Sequence, residues 1–72
     1  MNGAARALAD YRMRRARETF EDAAALADSK RWNSAVNRLY YAAFYAAKAL
    51  LATREIDAAR HSAAISLFQL HF

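Results

Sequence analysis

Cysteine and proline are absent from these 72 residues, and Gly3 is the single glycine. Without cysteine there is no disulfide, no thiolate metal site and no thiol nucleophile. Without proline, and with one glycine, the usual punctuation of strands and hairpins is missing, which leaves an all-helical reading nearly alone. A glycine-rich phosphate loop is excluded on the same ground. Long hydrophobic runs are lacking too: the most apolar stretch, Leu39 to Ala52, contains Lys48 and three tyrosines. It falls short of the roughly 18–20 residues that a bilayer requires. No continuous apolar segment precedes a cleavage site, and Asp10, Glu18, Glu21 and Asp22 argue against an organelle presequence. A cytoplasmic protein with no membrane association is expected.

What the chain does have is alanine, which favours helix but contributes little buried area per residue. Seventy-two residues make one domain at most, near the lower size limit for a core that holds without staples. Burial is therefore expected to be completed by a second copy, a partner or further chain. The sequence stops at Phe72 inside an apolar helical pattern with no terminating signal, which favours the last of these. The formal net charge is +4, carried mostly by arginine, with Lys30 and Lys48 the only lysines. That balance suits nucleic acid or another anionic partner, and equally a bias in base composition.

The stretch from Leu39 to Ala52 organises the rest, and at 100° per residue it and the residues just before it divide into three seams. Trp32, Val36, Leu39, Tyr40, Ala43, Phe44, Ala47, Leu50 and Leu51 form a broad apolar face expected to be the core side. Ala35, Ala42, Ala46 and Ala49 form a narrow methyl strip along which another backbone can approach. Asn37, Tyr41, Tyr45 and Lys48 form a third line, suited either to an interface or to capping the core edge. Tyr41, Tyr45, Ala42, Ala46, Ala49, Phe68 and Phe72 are the expected interface residues.

The spacing predicts a first helix over about Ala4–Ala27, with Ala9, Met13, Ala16, Phe20, Ala23 and Ala27 as its packing stripe. Asp10 with Arg14, Arg14 with Glu18, and Arg17 with Glu21 are expected to pair one turn apart. Asp28 to Arg31 is the predicted break, with Asp28 or Ser29 capping a second helix over Trp32–Ala52. So short a link forces antiparallel neighbours, and Trp32 is expected to plug the closed end. A third helix starts between Asp57 and Ser62, with Asp57 the better cap and His61, Ile65, Phe68 and Phe72 on one face.

Few residues carry chemistry. His61, with Arg54 and Arg60 nearby, is the position to weigh. At the first turn of a helix its imidazole is held neutral, and beside guanidinium groups it has the parts to accept a proton from a phosphodiester reaction. The alternative is that His61 closes the core stripe. Asp57 and His61 are too few for a metal, so neither metal nor cofactor is expected. Arg12, Arg14, Arg15, Arg38 and Lys48 are the candidate contacts to nucleic acid or nucleotide. For the dense arginine cluster around Arg14, a solvated helix face threaded with ion pairs is the other reading.

The runs Asn33–Leu51 (NSAVNRLYYAAFYAAKALL) and Arg60–Phe72 (RHSAAISLFQLHF) resemble the HEPN superfamily, in particular small prokaryotic members paired with minimal nucleotidyltransferases. The resemblance covers about Arg15 to Phe72. It implies an antiparallel up-and-down helical bundle, usually dimeric: two long helices plus a third, truncated one, with the final helices of the fold lacking. It also implies a group that includes metal-independent toxin ribonucleases neutralised by a nucleotidyltransferase antitoxin. The group's Arg-then-His motif belongs to a later helix. Arg54 and His61 imitate its spacing across a turn, so no catalytic role is carried over to them, and Ala63 stands where the family's His-Ser run continues with glycine. The expected function is an RNA- or nucleotide-interacting, self-associating domain of a toxin–antitoxin system. The alternatives are a structural dimerisation module and an active ribonuclease.

Overall fold

A computed structural model of the chain describes residues 2–56 and 61–72, with residues 61 and 62 described by backbone alone. All regular structure among them is helical: α1 (Gly3–Asp28), α2 (Trp32–Ala52) and α3 (His61–His71). The longest dimension, 41 Å, matches the length of α1 at about 1.5 Å per residue. Helix α2 packs against both of the others, and among the described residues α1 and α3 do not pack together.

Local chemistry sets each boundary. Asn2 caps α1 by accepting the Ala5 N–H at 2.7 Å, and its side-chain amide donates to the Glu55 carboxylate, joining the start of α1 to the turn after α2. Both long helices end in the same way. The Arg31 N–H reaches back to the Leu26 carbonyl and the Lys30 N–H to Ala27, while Ile56 and Glu55 repeat the pattern on Leu51 and Ala52. These are Schellman ends, whose pivot residue takes left-handed backbone and is usually glycine. Here Lys30 (φ 59°) and Glu55 (φ 58°) fill that role. Lys30→Gly should therefore raise stability by about 0.5–1 kcal/mol, the left-handed penalty outweighing glycine's extra unfolded-state freedom. A urea midpoint that does not move, or that falls, would contradict this account of the turn.

The link thus differs from expectation at its caps. Ser29 closes α1 instead of opening α2, and α2 starts from Arg31, whose side chain makes no capping bond. Asp57, the expected cap of α3, lies outside the described residues.

The largest correction concerns the core. Leu51 and Ala52 are buried at the end of α2. Ala9, Ala16 and Ala23 on α1 and Ala35, Ala42 and Ala49 on α2 are buried where these helices meet, each set spaced by seven residues. Thr19 is buried with them, its hydroxyl donating to the Arg15 carbonyl at 2.7 Å. Methyl side chains let two helices approach closely, so the narrow alanine strip forms the α1–α2 contact. The broad face of α2 expected to be core stays open along much of its length, with Val36 65% exposed, Trp32 61% and Leu39 49%, and Phe20 of the expected α1 stripe is 56% exposed. Trp32 does not plug the closed end: it lines the open groove between the helices and stays largely exposed. On α3 the buried residue is Ala64, packed with Leu51 of α2 and supported by Phe44, Ile56, Ala63 and Leu67. Ile65, expected on the core stripe, is exposed.

Candidate functional site

The two long sides of the α1–α2 pair differ in chemistry. One is the open apolar face. The other carries cations laid over aromatic rings, positioned because Arg38, Tyr41, Tyr45 and Lys48 recur at three- and four-residue steps along α2. The Arg38 guanidinium lies 4.7 Å from the Tyr41 ring centre, Arg15 of α1 lies 5.5 Å from Tyr45, and the Lys48 ammonium lies 5.3 Å from Phe44. Tyr40, Tyr41, Phe44 and Tyr45 form a continuous chain of rings, with neighbouring centroids 5.8–6.5 Å apart.

Hydrogen bonds fix the arginines. Arg15 Nη1 donates to Glu18 Oε1 at 3.2 Å, and this bond, followed by one with Tyr45, raises the Arg15 pKa above its ordinary value. Arg38 donates through Nε and Nη2 to Asn37 Oδ1, at 3.2 and 2.8 Å. Arg12 is half-buried one turn before Arg15. A stacked, tethered guanidinium keeps its charge and offers a flat edge, the combination that takes up phosphate and base together in single-stranded nucleic acid.

Of the five expected nucleic-acid contacts, Arg15, Arg38 and Lys48 come together on this side, and Arg12 belongs to the same run. Arg14 does not: it stacks over Tyr11, 5.6 Å from the ring centre. In place of the expected pairs Asp10–Arg14, Arg14–Glu18 and Arg17–Glu21, the described residues show Glu18 paired with Arg15. Of the expected interface residues, Ala42 and Ala49 are buried against α1 of the same chain and Ala46 is half-buried. Tyr41 and Tyr45 are half-buried in the ring chain. Phe68 stacks on Phe72 at 5.3 Å, with Arg54 over Phe72 at 4.5 Å. That places Arg54 at the end of α3. Arg60 and the His61 side chain lie outside the described residues.

Sequence reasoning missed the Arg15–Tyr45 stack, which joins two helices and has no signature in either alone. It also passed over the open faces of Phe20 and Leu39. The seven-residue alanine spacing shared by both helices, Ala9, Ala16 and Ala23 with Ala35, Ala42 and Ala49, is the signal that would have located the seam. Among the described residues no three of His, Cys, Asp or Glu gather as metal ligands, and no helix is long and apolar enough to cross a membrane.

A family model, the HEPN domain, matches residues 9–71. A UPF0332 protein of Thermotoga maritima is 43% identical over 63 residues, covering 88% of this chain and 48% of the relative. A protein of Methanocaldococcus jannaschii named as a candidate toxin is 40% identical over 57 residues, covering 79% of this chain and 42% of the relative. A second UPF0332 protein, from Pyrococcus horikoshii, is 40% identical over 55 residues, covering 76% and 39% respectively. The chain thus spans less than half the length of these curated relatives. No solved structure gives a significant match. With a domain model matched along nearly its whole length and relatives at about 40% identity, the chain belongs to the HEPN family.

Proposed function

We propose that residues 1–72 form a HEPN-type helical domain of a toxin–antitoxin system, one that interacts with RNA and associates with itself. The observation that carries the RNA role is the row of cations over rings: Arg15 on Tyr45, Arg38 on Tyr41 and Lys48 on Phe44. The toxin setting draws support from the name of the Methanocaldococcus relative. A nucleotidyltransferase antitoxin as its partner is proposed from the family resemblance alone. The helices are read as an antiparallel up-and-down bundle. Support comes from their shared grooves, where residues 20–27 meet 32–39 and residues 13–20 meet 39–46.

Fluorescence anisotropy with a labelled single-stranded RNA tests this reading. Removing one phosphate-neutralising cation lowers the slope of log K against log salt by about 0.7, so Arg38→Gln with Lys48→Gln should flatten it by about 1.4 and weaken binding. Arg14→Gln, on a different side of α1, should change binding far less. Salt-independent binding, or equal losses from all three positions, would reject the interface. The competing reading is a structural interaction module with no nucleic-acid role, and the open face of Trp32, Val36 and Leu39 favours it. Apolar association would hold or tighten as salt rises, the opposite of RNA binding.

A further inference from the structure

Asn37 and Arg38 are neighbours in the chain that bond to each other. Asn37 Oδ1 accepts from Arg38 Nε at 3.2 Å and from Arg38 Nη2 at 2.8 Å. A carboxamide oxygen has two lone pairs, so both are spent on the guanidinium. The orientation is chemically forced, because a guanidinium has donors only and the amide must turn its oxygen toward it. What the exposed Asn37 offers to solvent is its Nδ2 amino group, which donates and cannot accept. The clamp is held from a second direction. Arg38 also lies 4.7 Å from the centre of the Tyr41 ring, and that ring stands edge-on between Tyr40, at 6.0 Å, and Phe44, at 6.5 Å.

We propose that Asn37, clamped by Arg38, selects keto bases over amino bases in the strand that this face binds. This rests on the RNA role proposed above and names what the site reads. An unclamped asparagine presents a donor and an acceptor side by side, which matches the N6 amino group and N7 of adenine. With its oxygen taken, Asn37 presents the donor alone. Uracil O4 and guanine O6 are acceptors where cytosine and adenine carry amino groups. The same Nδ2 group therefore meets a lone pair in two of the bases and another N–H in the other two.

Phosphate oxygens are acceptors too, and the neighbouring cations take those. Hydrogen bonds from charged donors are roughly twice as strong as neutral ones, and Arg15, Arg38 and Lys48 stand along the same side. The neutral amide is left to the base edge. Tyr40, three residues further along α2 and 46% exposed, gives the same base an aromatic surface to lie on. Arg38 thus has two tasks: its remaining N–H groups face the strand, while Nε and Nη2 fix what Asn37 can recognise.

Fluorescence anisotropy with short single-stranded oligo-cytidine RNAs, one central base changed to uracil, guanine or adenine, tests the selection. Comparison within uracil–cytosine and within guanine–adenine cancels most of the difference in stacking. Each keto base should bind at least about fivefold tighter than its amino counterpart. Asn37→Asp keeps an oxygen for Arg38 but replaces the donor with an acceptor suited to the cytosine N4 amino group, so the uracil–cytosine preference should reverse. Arg38→Leu frees Oδ1 and should bring adenine level with guanine, at lower affinity throughout. Asn37 is exposed, and an unchanged helical circular dichroism confirms that the variants fold. Equal affinity for all four strands, with the steep salt dependence retained, would overturn the selection and leave the RNA role standing. A keto preference unmoved by Asn37→Asp would overturn its assignment to Asn37. Absence of salt-dependent binding to any strand would reject the RNA role and the selection with it.

Discussion

Leu51→Ala is expected to cost about 2–5 kcal/mol and to release α3 from α2. Leu51 and Ala64 are the fully buried pair of the small core cluster, and each is 0% exposed. Phe44, Ile56, Ala63 and Leu67 pack around them, so the missing methyl groups leave a void that the surroundings fill only in part. Among the described residues, α2 is the helix against which α3 packs. A folded chain of this length has a stability of roughly 4–11 kcal/mol at 0.05–0.15 kcal/mol per residue, so the substitution removes a large share of it. The expected result is a lower urea midpoint and a loss of helical signal matching α3. An unchanged midpoint would show that the Leu51 cluster is not the anchor of α3.

Ala42→Leu is the second substitution with a large expected effect, and it runs against the habit of finding the core at the largest apolar residues. Ala42 lies in the middle of the seam, sharing a groove with Ala16, and helix fraying cannot relieve a clash there as it can near Ala9 or Ala49. The added methylenes should cost about 1–3 kcal/mol. Thermal melting should register this as a fall of roughly 4–8 °C for each kcal/mol in a chain of this size. Val36→Ala, on the open face, should stay within about 0.5 kcal/mol. The reverse ranking would move the core to the Val36 side.

That reversal explains what was legible in the sequence and what was not. Helix positions were legible: α2 occupies Trp32–Ala52 as expected, and α1 extends one residue beyond Ala4–Ala27 at each end. They could be read because the residues that interrupt apolar periodicity, Asp28 to Arg31 and Thr53 to Glu55, also carry the turns. The packing face was not legible, since hydrophobic breadth measures how much a face gains by burial and says nothing of which partner is present to bury it. Within these 72 residues the partner of α2 is a helix of alanines, which selects the opposing alanines. Turn chemistry was half legible. Asp28 and Ser29 mark the right place, but left-handed Lys30 and Glu55 could not be found by looking for glycine. The candidate site divides the same way: α2 alone reveals Arg38 and Tyr41, whereas Arg15 meets Tyr45 only once the helices pair.

The alanine seam also sets a problem of registration. Methyl groups recurring every seven residues on both helices look alike after a slide of two turns, about 10 Å, so the seam by itself does not tell one alignment from the next. Other contacts must hold the phase: the short tether between Asp28 and Trp32, the Arg15–Tyr45 stack midway, and the Asn2–Glu55 bond at the far end. A chain with its tether lengthened and Arg15 and Asn2 removed would keep its helices and lose their alignment, sampling several offsets of one helix against the other.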